Sequence, residues 1–104
     1  MSDRQNPDYR NSIKESISAV EALAMQLLGD NSITLGKAIP RLRTKYELHP
    51  TLMESLNKLY GYSSDENGVR HGSPEESSIS YIDAKFMLVA CTNFINYLIE
   101  KTKD

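Results

Sequence analysis

The segment YIDAKFMLVACTNFINYLIEKTKD, residues 81–104, limits the fold more than any other. At about 100° per residue in a helix, Lys85, Thr92, Asn93, Asn96 and Glu100 gather on one narrow side. Apolar side chains, from Ala84 and Phe86 to Leu98 and Ile99, cover nearly everything else. A surface helix of a small bundle needs an apolar face well under half its circumference. This helix exceeds that, so it is either central to a bundle or buried by a partner as well. The pattern favours a bundle whose last helix helps form a homodimer.

The preceding sequence supplies the rest of such a bundle. NPDYRNSIKESISAVEALAMQLLGD offers Asn6 as N-cap, Pro7 at the first helical position and Gly29 as the stop. Ile13, Ile17, Val20, Ala24, Leu27 and Leu28 form one apolar face. Beside it Ser12, Ser16 and Ala19 make a stripe of small residues that would let another helix approach closely. The stretch SITLGKAIPRLRTKYEL has Thr34 as a candidate cap and turns Leu35, Ala38, Ile39, Leu42 and Tyr46 to one face. Pro40 lies inside that pattern and predicts a kink or a split. A third helix restarts at HPTLMESLNKLYG, with Pro50 first and Gly61 last, Leu52, Met53, Leu56, Leu59 and Tyr60 inward, and a Glu54–Lys58 pair outward. The last helix opens at Ser80, with Asp83 three residues on, close to a capping box. The expected architecture is all-α, a single-domain four-helix antiparallel bundle over residues 1–104.

At 104 residues the chain can bury one core without staples. Its single cysteine, Cys91, excludes an internal disulfide, and one Cys with two His cannot build an ordinary structural zinc site. A net charge of −2 argues against binding nucleic acid through bulk electrostatics, while leaving room for a local basic patch. Lys37, Arg41 and Lys45, spaced i, i+4, i+8 with Arg43 nearby, form such a ridge and are candidate RNA-phosphate contacts; an ordinary solvated helix face looks the same. The polar start MSDRQNPDYR does not read as a signal peptide, and no apolar run reaches the length of a membrane span. A cytoplasmic protein without membrane partners is expected. The Gly-Lys of TLGKA lacks the spaced glycine of a phosphate loop, and neither HExxH nor a repeated carboxylate–His pattern occurs, so no cofactor or metal is expected.

Cys91 lies on the broad apolar side of the last helix and reads as core, and His49, before Pro50, reads as a helix-boundary cap. The other histidine is chemically more suggestive. In LYGYSSDENGVRHGSPEESS, residues 59–78, Arg70 and His71 stand together in a long polar connection. Metal-free cleavage of RNA needs a group that moves protons near neutral pH, for which His is suited. It also needs a cation for charge accumulating on the phosphoryl oxygens, for which Arg is suited. Neighbouring side chains tend to point apart, so one pair makes a poor dyad. A symmetric dimer could set His71 of one copy opposite Arg70 of the other.

The strings NPDYRNSIKESISAVEAL, TLGKAI, HPTLMESLNKLYGYSSDENGVRHG and AKFMLVACTNFINYLI resemble one group of HEPN-type helical domains. That group looks like the C-terminal half of bacterial proteins carrying an abortive-infection AbiJ-type N-terminal domain. The likeness runs from about residue 7 to residue 99, and KLYGYSSDENGVRH is its most specific block. It implies a small dimeric helical bundle. It also implies a metal-independent endoribonuclease of phage defence, of abortive-infection or toxin–antitoxin type, or a non-catalytic binding module. Arg70 and His71 then correspond to the functional loop, flanked by Asp65 and Asn67. The usual motif separates its Arg from its His by several residues. Here the pair is adjacent, and none of Ser64, Asp65 and Glu66, at the positions where the arginine would stand, is a basic residue. Three functions follow as expectations: an RNase, a dimerising or RNA/nucleotide-binding module that does not cut, and a structural bundle mating with another protein. The implied partners are a second copy, RNA, and either a neutralising protein or the N-terminal domain of the longer relatives.

Overall fold

The computed structural model describes residues 8–64 and 80–103. They form four helices: α1 (Tyr9–Leu28), α2 (Leu35–Tyr46), α3 (Pro50–Ser63) and α4 (Tyr81–Thr102). No strand occurs among the described residues.

The apolar faces read from the sequence meet in one core. Ile13, Ile17, Val20 and Ala24 of α1 are buried against Leu35, Ala38, Ile39 and Leu42 of α2 and Met53 and Leu56 of α3. Ala84, Met87, Cys91 and Leu98 of α4 complete it, with Ile33 and Leu48 closing it from the connections. Leu27 and Leu28 are half-buried at its edge. Leu52, expected inward, is 42% exposed. It stands about 100° around the helix from Met53, at the edge of the face that Met53 and Leu56 turn inward.

Helix α1 packs against each of the other three, whereas α4 leans chiefly on α1. The central helix is therefore α1, and centrality does not account for the apolar breadth of α4. The small-residue stripe lies beside this contact: Ser16 is buried and its hydroxyl donates to the Ser12 carbonyl at 3.1 Å, while Ser12 and Ala19 are exposed. α4 is also the one described helix long and apolar enough to cross a membrane by length and composition, which corrects the reading that no run is. In this fold its Ala84, Met87, Cys91 and Leu98 are committed to the protein core.

Helix ends depart from the sequence pattern where a better partner exists. The N-cap of α1 is Asp8, whose Oδ1 accepts from the backbone N of Asn11 at 3.0 Å. A carboxylate there meets both an unpaired N–H and the positive end of the helix dipole. Asn6 and Pro7 lie outside the described residues. Gly29 caps the other end in the left-handed region, φ 66°, as expected of a C-cap glycine.

Helix α2 does not split: its 12 residues run as one helix through Pro40, which lies on the exposed side. α3 passes Gly61 and ends at Ser63, with Ser64 N donating to the carbonyls of Tyr60 and Gly61. A glycine stops a helix by taking positive φ, and Gly61 does not. At α4, Asp83 Oδ2 accepts from the Ser80 backbone N at 2.9 Å, the carboxylate half of the expected box, and also from the Ser80 hydroxyl at 3.1 Å.

Candidate functional site

The basic ridge exists as spaced, and two of its three members also make contacts to the end of α1 and the connection after it. Lys37, Arg41 and Lys45 are all exposed on α2. Arg41 Nη1 lies 3.5 Å from Asp30 Oδ2, in the connection between α1 and α2. Lys45 Nζ donates to the Leu27 carbonyl at 3.1 Å and stands 5.3 Å from the Tyr46 ring centroid. The Tyr46 hydroxyl donates to the same carbonyl at 3.4 Å. α1 has no basic residue in its own last turn, so Lys45 supplies the positive charge its C-terminal carbonyls favour. Arg43 is set apart, lining a cleft between α2 and α3 with Met53 and Glu54.

Asp30 is itself organised by the connection. Its Oδ1 accepts from Ser32 N at 3.0 Å and Ser32 Oγ at 2.9 Å. These two bonds, and then the Arg41 guanidinium, hold its carboxyl below the usual carboxylate range. Such side-chain bonds to the residue two ahead fix a tight turn, and here they aim the carboxylate at Arg41.

The second feature is the outer side of α4. Ile82 is 74% exposed, Phe86 60% and Val89 50%, with Tyr81 and Leu88 exposed beside them. At spacings of four and three residues, Ile82, Phe86 and Val89 form one line that continues as Asn93, Asn96 and Glu100. The outer face is thus apolar over its first three turns and polar afterwards. A groove of about 380 Å³ separates this strip from α1, lined by Ser12, Glu15, Ala19, Tyr81, Lys85 and Leu88. A second, of about 490 Å³, separates it from α3, lined by Leu59, Tyr62, Ile82, Phe86 and Met87. Burial raises the Tyr62 hydroxyl's pKa, and the Asp83 charge adds to this. The sequence showed that α4 is too apolar for a surface helix. Which of its apolar residues the core leaves uncovered depends on the packing of α1.

Cys91 is buried, and burial pushes its thiol up to about 11. A protonated, enclosed thiol is not a nucleophile. His49 is the N-cap of α3: its Nδ1 accepts from Thr51 N at 3.1 Å, and its own backbone N donates to the Tyr97 hydroxyl at 3.4 Å. Arg70 and His71 lie outside the described residues, as do Asp65 and Asn67. No group of three or more His, Cys, Asp or Glu suited to a metal ion occurs among the described residues. No family model, curated protein or solved structure matches the chain.

Proposed function

We propose that this chain is a HEPN-type domain, an antiparallel four-helix bundle acting as a homodimer on RNA in cytoplasmic phage defence, of abortive-infection or toxin–antitoxin type. One observation carries the reading: the exposed apolar strip of α4 begins directly after Ser80. The connection that holds Arg70 and His71 ends at that residue. A second copy covering the strip brings the two Ser80 residues towards one another, and a site shared between His71 of one copy and Arg70 of the other requires a dimer of this kind.

In this reading His71 transfers protons at the ribose 2′-hydroxyl and the leaving oxygen, and Arg70 stabilises charge building on the phosphoryl group. The α2 ridge engages RNA phosphates, with Lys37 contributing most. Arg41 and Lys45 are already engaged, by Asp30 and by the Leu27 carbonyl. A neutralising protein, or an N-terminal domain of the AbiJ type, is the expected regulator. The test is cleavage of a mixed-sequence RNA in the presence of a chelator, with wild type and His71→Ala compared at matched helicity. Cleavage lost in the variant supports the reading, and no cleavage by wild type ends the nuclease part of it.

The adjacency of Arg70 and His71 favours a second reading, a dimeric module that binds RNA or a nucleotide without cutting. It predicts salt-sensitive RNA binding with no product, weakened by Lys37→Ala.

A further inference from the structure

We infer that a second copy of this chain docks on the first three turns of α4, with the two-fold axis passing beside Phe86 rather than through the middle of the helix. The inference deepens the dimer part of the reading above, names the face, and stands without its nuclease part.

Self-complementarity places the axis. In a symmetric dimer the same patch is used twice, so apolar surface must fall on apolar surface under the two-fold. Along the outer line of α4 the apolar residues are Ile82, Phe86 and Val89, and the next three, Asn93, Asn96 and Glu100, are polar and exposed. A two-fold through the helix centre, near Cys91, would lay Phe86 and Val89 of one copy on Asn96 and Asn93 of the other. Each amide would be desolvated against an aliphatic or aromatic neighbour, which costs free energy unless a hydrogen bond compensates. Moving the axis to Phe86 pairs Ile82 with Val89 of the partner and Phe86 with its own counterpart. Asn93, Asn96 and Glu100 then stay in water.

Area points the same way. Covered aromatic side chains bury roughly 150–250 Å² each and aliphatic ones somewhat less. Tyr81, Ile82, Phe86, Leu88 and Val89, each half-exposed or more, therefore offer on the order of 500 Å² per copy. A standard interface uses about 800 Å² per partner. The two flanking grooves supply the remainder, since the partner's strip can settle along Ala19 and Leu88 or along Leu59 and Tyr62. The charges bordering the first groove also suit a homotypic contact. Glu15 and Lys85 carry opposite signs on one patch, so each can face the other's counterpart across the axis. An interface of this size is that of a standard dimer, and packing at Phe86 rather than area sets its strength.

The axis position has a geometric consequence. Tyr81 is five residues from Phe86, about 7 Å along the helix, so the two α4 N-termini, and with them the two Ser80 residues, lie near the axis and near each other.

The test combines oligomeric state with crosslinking. Sedimentation of the wild-type chain across a hundredfold concentration range should show a monomer–dimer equilibrium. Phe86→Asp should shift it to monomer with unchanged helicity, because Phe86 takes no part in the core. Asn96→Asp should leave it in place. Mild oxidation should give a disulfide dimer of Phe86→Cys and none of Asn93→Cys, the buried Cys91 serving as internal control. A wild type that stays monomeric, a Phe86→Asp chain that stays dimeric, or preferential crosslinking at residue 93 overturns the proposal. Binding of monomers to phosphatidylcholine vesicles without self-association does so too. Loss of RNA cleavage in His71→Ala with the dimer intact bears on the nuclease reading alone, so the two can fail separately.

Discussion

Glu21, in the middle of α1, caps the N-terminus of α2: its Oε2 accepts from the backbone N of Leu35 at 2.9 Å, across 14 residues of sequence. Thr34 holds the N-cap position with extended backbone but makes no side-chain cap bond. The first N–H groups of a helix lack intrahelical partners, and a carboxylate satisfies them and the dipole together. Reaching from the neighbouring helix, Glu21 also ties α2 to α1. Glu21→Ala should lower unfolding free energy by about 1–2 kcal/mol, and Glu21→Gln, which keeps an acceptor, by less. Thr34→Ala should change it by under about 0.5 kcal/mol. Urea denaturation of the three variants decides the point; equal losses at Glu21 and Thr34 would contradict the cross-helix cap.

Two backbone positions offer stabilisation. Glu47 ends α2 at φ 54°, the one non-glycine among the described residues with positive φ. A side chain in the left-handed region costs roughly 1 kcal/mol, so Glu47→Gly should raise the melting temperature. Gly61 is the opposite case: helical, with open space where a Cβ would sit. Gly61→Ala should add about 0.5–1 kcal/mol. Gly36 should not behave this way, because an added Cβ would lie 3.2 Å from the Tyr60 ring. Thermal melts of the three single variants give the signs directly.

Within the basic ridge, stability and RNA affinity should separate. Lys45→Ala removes the ammonium bonded to the Leu27 carbonyl and should cost about 0.5 kcal/mol of stability. Lys37→Ala should leave stability within about 0.5 kcal/mol. If the ridge contacts RNA phosphates, Lys37→Ala should lower the slope of log binding constant against log salt by about one. An unchanged slope would return the ridge to an ordinary solvated face.

Asp30 predicts a titration. A carboxyl held below its ordinary range in the folded state contributes stability that is complete above the unfolded pKa, about 4. That contribution is lost as pH falls through the lower folded value. Carboxyl NMR should place the Asp30 midpoint below the ordinary range. Ser32→Ala should raise it part of the way, since the Ser32 backbone N–H remains, and Arg41→Ala should raise it less. A midpoint at the ordinary value would show that the turn does not persist in solution.

Cys91 should resist thiol reagents in the native state and react only through unfolding, because its thiol is buried and its pKa is pushed up to about 11. The folded chain holds that proton more tightly than the unfolded one. Stability should therefore be unaffected by this group below about pH 9 and decline as pH rises towards 11. Labelling kinetics against denaturant would check both statements, and fast native labelling would contradict them.

Local chemistry determined what the sequence could show alone. Apolar periodicity placed four helices and most of the core; Gly29, His49, Ser80 and Asp83 marked ends that depend on side chains within a few residues. Two features it did not place depend on longer range. Glu21 caps α2 only because α1 packs beside it, and Lys45 caps α1 for the same reason. Gly61 continues a helix because nothing there asks for positive φ, and Asp8 displaces Asn6 because its carboxylate reaches Asn11. The breadth of the apolar surface on α4 is written in its residues. That Ile82, Phe86 and Val89 face outward while Met87, Cys91 and Leu98 face in was decided by tertiary packing, since α1 takes the central position and covers one side of α4.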